Sequence, residues 1–233
     1  MSKKILLQAV AFVVICMLHS SLFAQNGNLV LKFVHIANGK IVHHNGMFTT
    51  PNGEPYTISK LKYYVSNVEL GKSFQHTHLV NAFGADSIEM KVPPGNYRQL
   101  SFLLGVDSLL NCSGAQDGAL DPLNDMFWTW NSGYVMFKLE GISDSSHADL
   151  NRIEQHIGGY KGENKTMRRI SFDLNEKLTI GPKETHTIVI EVDLDKFWDK
   201  GSIAKNPVIV IPGVLAKQAA DNFPFMFRVK TIL

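Results

Sequence analysis

Eight of the nine histidines in this 233-residue chain follow residue 24, and some of them stand where an imidazole has consequences. In LVLKFVH, residues Leu29, Leu31, Phe33 and His35 share one face of an alternating segment. His186 has the same parity as Ile188, Ile190 and Val192. An imidazole in phase with a core face must find a hydrogen bond or a metal. His156 precedes Gly158 and Gly159, and its own strand face carries Arg152 and Glu154, which places it at a rim. His76 and His78, in HTH, share a face if extended, but their polar neighbours suggest an exposed turn.

Two tryptophans are the second unusual feature. In MFWTWNSGY, Met126, Trp128 and Trp130 point the same way if the segment is extended. A β-sandwich core accounts for one buried Trp with a Met beside it, and less readily for a pair next to a long polar loop. That loop, SGAQDGALDPLND, offers Asp117, Asp121 and Asp125. Their spacing is four, whereas a calcium loop of the EF-hand kind alternates acidic residues two apart. A polar loop whose Asp and Asn side chains bond their own backbone is therefore expected. HExxH and GxSxG are absent, and GGYKGENKT has its Gly, Lys and Thr in the wrong order for a phosphate loop. No catalytic residue is assigned, and the chain is not read as an enzyme.

The elements that must position these residues read as all-β. Strands are predicted at 29–35, 61–70, 86–92, 97–106, 134–142, 168–174 and 185–193, with turn residues between them. One or two short helices fit 193–200 and 214–222. The expected architecture is a single-domain antiparallel β-sandwich with long loops, spanning 25–233. The loop from Asp107 to Met126 is long for a connection, and long ordered loops on such scaffolds often carry function.

Residues 1–24 read as a secretory signal peptide: Lys3 and Lys4, an apolar run from Ile5 to Leu18, and cleavage between Ala24 and Gln25. The run is short for a bilayer span, which needs about 20 residues, so no membrane span remains after cleavage. Lipid anchoring through Cys16 is disfavoured because Ile15 precedes it where a small residue is expected. The mature chain is then periplasmic or secreted, its formal charge falls from +2 to 0, and it keeps one cysteine, Cys112, so it can form no internal disulfide. With no basic run left, nucleic acid is not an expected partner. Oligomeric state is not legible.

LKYYVSNVEL, PPGNYRQLSFLLGVD, LDPLNDMFWTWNSGYVMFKLEG, QHIGGYKG and HTIVIEVDLDKFW, in that order, resemble the MbnP family of periplasmic copper-binding proteins. The stretch from Leu120 to Gly141 is the most specific. The resemblance covers about Leu29 to Phe227. It implies a copper(I) protein for acquisition, storage or delivery of the metal, in which a Trp is oxidised to kynurenine by a di-haem peroxidase-like (MbnH-type) maturation partner. The aromatic amine of kynurenine then binds copper(I) with histidine imidazoles. Carried onto this chain, the modification candidates are Trp128 and Trp130, and the metal ligands His35 and His156, with His186 a weaker match. No histidine stands near the Trp pair in sequence, so a local Trp-x-His site is absent. The alternative is a non-catalytic β-sandwich module for a protein or glycan partner, with Trp as a contact residue.

Overall fold

The structure is a computed structural model and describes residues 25–233 except Ala115, Trp130 and the side chain of Asn175. The signal-peptide reading, with Ala24, Cys16 and the apolar run, lies outside the described residues. So does Trp130. Gln25, the expected first mature residue, is exposed at the start of the described chain.

Among the described residues there are fifteen strands: β1 Gly27–Ala37, β2 Lys40–Ile41, β3 Met47–Thr49, β4 Pro55–Thr57, β5 Lys60–Leu70, β6 Lys72–Asn81, β7 Ser87–Val92 and β8 Gly95–Leu104 in the first half. The second half holds β9 Phe127–Thr129, β10 Gly133–Ile142, β11 Arg152–Gly158, β12 Arg168–Ile180, β13 Thr185–Asp193, β14 Val208–Ile209 and β15 Phe227–Ile232. One sheet has the order β15-β13-β1-β2, with β7 also on β1. The other has the order β12-β8-β5-β10-β11-β14, with β6 on β5 and β9 on β10. Strands β3 and β4 make a separate hairpin.

The all-β reading holds, but the pairing is mixed. β1 runs parallel to β13, and β11 parallel to β14. Alternation fixes which face of a strand is buried and says nothing about the direction of its neighbour, so this was beyond the sequence. The HTH segment also differs from expectation. It lies inside β6, which bonds only to β5. An edge strand with one face toward solvent carries few apolar residues, and so it reads as a turn.

The main core fills the space between the sheets. Leu29, Leu31 and Phe33 from one sheet meet Tyr63, Phe102, Phe137, Leu139 and Ile157 from the other. Tyr63 lies at its centre, stacked on Phe137 at 6.1 Å and edge-on to Phe33 at 5.9 Å. A second, smaller cluster lies on the other side of the larger sheet. It contains Tyr64, Val106, Leu120, Met126, Tyr134, Met136 and Tyr160, with Trp128 packed against it. Adjacent strand residues feed opposite clusters: Tyr63 the first and Tyr64 the second, Phe137 the first and Met136 the second. The roof of the second cluster is the 107–126 loop.

Among the described residues four short α-helices accompany the strands: α1 Ser108–Asn111, α2 Leu194–Phe197, α3 Val214–Ala220 and α4 Phe223–Met226. Asp193 caps α2 by accepting the Asp195 N–H at 3.0 Å. Pro224 stands in the first turn of α4, where its missing N–H is not needed.

Gly141 on β10 shows how closely the hairpin approaches the sheet. A Cβ there would lie 1.8 Å from the Thr57 carbonyl oxygen of β4. Gly141→Ala is expected to cost about 3 kcal/mol of stability, the upper part of the overpacking range, measured by urea unfolding. A loss below about 1 kcal/mol would show that the β3–β4 hairpin yields easily.

Candidate functional site

The outer face of β10 and β11, beneath the end of the long loop, gathers a set of ionisable groups. On β10, Phe137 and Leu139 point into the main core, so Lys138 and Glu140 point away from it. His156 of β11 is the register partner of Lys138. Its Nε2 lies 2.9 Å from Glu140 Oε1. Lys138 Nζ lies 3.0 Å from Asp125 Oδ2 and 3.6 Å from Glu140 Oε1, and also donates to the Asp125 carbonyl. Lys60 of β5 closes the ring, 2.9 Å from Asp125 Oδ2 and 3.0 Å from Glu140 Oε2. Two lysines and two carboxylates thus neutralise one another.

Burial makes this network consequential. The Lys138 side chain is only 4% exposed and that of His156 15%. The hydrogen bond from His156 is the largest of the influences that hold the Glu140 carboxyl at about 2, below its ordinary 4.5; burial opposes it, and Lys60 and Lys138 add to it. Burial pushes the Asp125 carboxyl up, but the bonds from Lys60 and Lys138 outweigh it and leave it lowered. An ionised carboxylate only accepts hydrogen bonds, so His156 Nε2 carries the proton and donates. Nδ1 is then the ring nitrogen outside that bond.

Trp128 comes to this face through the loop. The turn Pro122–Asn124 ends at Asp125, which adopts a left-handed conformation (φ 61°) and is held by both lysines. Met126 is then buried in the second cluster and Trp128 packs against its edge. The indole lies over Gly158: a Cβ there would be 2.6 Å from Trp128 Cζ3 and 2.8 Å from the Tyr134 carbonyl. Gly158 is on the same face of β11 as His156, two residues and so roughly 7 Å along the strand. Farther up, buried Asn111 fixes the loop by accepting the Tyr134 N–H at 3.0 Å and donating to the Val106 carbonyl at 2.7 Å. Asp121 accepts the Leu123 N–H at 2.8 Å, the local turn bond expected of this loop.

The three candidate histidines occupy three different places. His35 faces the main core, 5% exposed, with Nε2 2.9 Å from the Tyr63 hydroxyl. Tyr63 pairs with Phe137 on the inner face of the sheet, so His35 and His156 are separated by the sheet itself. Burial holds the His35 imidazole down at about 4. His186 lies near the start of β13, 27% exposed and 3.5 Å from Glu184. Val192, the partner of His35, is six residues farther along β13, roughly 20 Å away. Among the described residues no group of three or more His, Cys, Asp or Glu is arranged to hold a metal ion. No helix among them is long and apolar enough to cross a membrane. Cys112 is exposed and unpaired.

Sequence reading missed Lys60, Lys138 and Glu140. The signal was present, since charges at 138 and 140 alternate with Phe137 and Leu139 in a strand that otherwise reads as core. Only the loop above them explains why both faces of that strand are covered.

His35 and Glu140 give the protein a defined pH response. For His35, the unfolded chain takes up a proton near 6.5 and the folded chain only near 4, so stability is lost as pH falls through that window. For Glu140 the window runs from 4.5 down to about 2. His35→Gln is expected to flatten Tm between pH 6.5 and 4, and Glu140→Gln to flatten it only below 4.5. Parallel Tm–pH curves for wild type and both variants would contradict this.

The MbnP family profile matches residues 26–212. No match is found among curated proteins. Among solved structures, MbnP from Methylosinus trichosporium is similar in fold, with a TM-score of 0.59 at 17% identity, over 77% of this chain and 80% of that one. With the profile covering well over half of the chain, the chain belongs to the MbnP family.

Proposed function

We propose that this is a non-catalytic, periplasmic or secreted copper(I)-binding protein for acquisition, storage or delivery of the metal. Its copper would sit on the outer face of β11, between His156 and residue 128 in its kynurenine form. A di-haem peroxidase-like partner would carry out that oxidation. The observation that carries the reading is the placement of the Trp128 indole over Gly158, on the same strand face as His156.

The donor chemistry fits. His156 directs Nε2–H to an ionised Glu140, the arrangement that orients a ligating imidazole and leaves its other nitrogen for a metal. An imidazole and an aromatic amine are two nitrogen donors, enough for copper(I) at low coordination number. Glu140 itself is already held by Lys60 and Lys138, so it serves as the orienting group and not as a ligand. Trp128 stands at the edge of its cluster, only partly buried, within reach of electron exchange with an outside oxidant. In this reading His35 keeps the core in register, and His186 takes no part in the site.

The second reading, a binding module for a protein or glycan, draws on Leu109 and Leu123, which stand exposed on the same loop. Copper(I) titration against a competing chelator separates the two. His156→Ala and Trp128→Phe are each expected to weaken copper(I) binding at least tenfold, and His186→Ala to leave it within twofold. Equal affinity in all three would remove the copper site and favour the binding module. Peptide mapping of protein from its native host is expected to find kynurenine at position 128; unmodified Trp there would remove the amine donor.

A further inference from the structure

The edge strand β6 carries a second pair of imidazoles, far in sequence from the groups just described. His76 and His78 lie with ring centroids 6.5 Å apart at 66°. His76 is exposed and His78 half-buried. We propose that these two histidines form a chelating site for an imidazole-seeking divalent transition-metal ion such as Ni(II), Cu(II) or Zn(II), separate from the copper(I) reading and not dependent on it.

Three observations support the site. Residues two apart on a strand point to the same side, which is how a His-x-His segment offers two donors at once. The pairing of β5 with β6 also breaks here. Val68 pairs with Phe74 and Ser66 with Thr77, so β6 inserts one extra residue at Gln75–His76. Such a bulge re-aims a side chain, and here it sits at the first of the two histidines. Finally, His76 is exposed on a strand at the edge of its sheet, so a hydrated ion can reach it.

The spacing is close to what an ion requires. A metal about 2.0–2.1 Å from each ring nitrogen holds two ring centroids roughly 4.5–6.5 Å apart as the angle opens from 90° to 180°. The observed 6.5 Å is at the wide end, and rotation of the exposed His76 side chain narrows it. Two imidazoles with water filling the remaining positions suit nickel, copper and zinc, which accept nitrogen donors.

Tag-free mature protein titrated calorimetrically with nickel chloride tests the site. Nickel(II) is the probe because it does not report on a two-coordinate copper(I) centre. The expected result is one Ni(II) per chain, with affinity at least tenfold lower in His76→Gln and in His78→Gln and within twofold in His156→Gln. Paramagnetic broadening of the His76 and His78 ring signals in the wild-type NMR spectrum is expected too, and needs no variant. No nickel binding, equal affinity in His76→Gln and His78→Gln, or broadening confined to other histidines would overturn the site. Loss of nickel binding in His156→Gln alone would overturn it while leaving the copper(I) reading intact.

Discussion

A lysine with only 4% of its side chain exposed must be paired, and the pairing of Lys138 organises everything above the larger sheet. An unpaired cation at such depth is strongly destabilising, so its position constrains two carboxylates at once. Glu140 comes from the same strand and Asp125 from the end of the long loop. Lys60 bridges the same two acids from the neighbouring strand. The consequence is mechanical. Asp125 is fixed to the sheet three residues before Trp128, so lifting the loop would strip buried Lys138 of one of its carboxylate partners. Glu140, already ionised, then fixes the proton of His156 on Nε2. One ion network thus seats the aromatic ring and selects the tautomer of the imidazole beside it.

The position of Trp128 resolves a puzzle in the primary structure: why such bulk follows a polar, acidic loop. The larger sheet has apolar residues on both faces, and the second face needs a cover. Met126 enters that second cluster, Trp128 seals its edge, and Gly158 supplies the missing side chain that lets the ring lie against β11. The QHIGG stretch therefore has a packing reason for its Gly158 that does not depend on any metal. The same geometry is what makes a shared site with His156 chemically reasonable.

Much of the scaffold was legible in the sequence. The alternating faces of 29–35 and 185–193 are buried as read, with Leu31, Phe33, Ile188, Ile190 and Val192 in the core. Short helices form within 193–200 and 214–222 as read, the first of them capped by Asp193. What was not legible depends on long-range pairing. The parallel contact of β1 with β13 joins segments some 150 residues apart and leaves no local trace. The separation of His35 from His156 by a sheet is of the same kind. Each histidine lies on the face its strand dictates, but which side of which sheet that face becomes is decided by topology. The ion network escaped for a further reason: a Lys between Phe and Leu reads as a solvent-facing residue until a loop is known to cover it.

The proposed copper position lies between His156 and residue 128. Crystallography of the copper(I)-loaded protein from its native host, with anomalous data collected at the copper absorption edge, measures that directly. The account predicts a copper peak on the outer face of β11, bonded to His156 Nδ1 and to the side-chain amine of residue 128. A peak beside His35 in the core or at His186, or an outer face without copper in a crystal that holds it elsewhere, would contradict it.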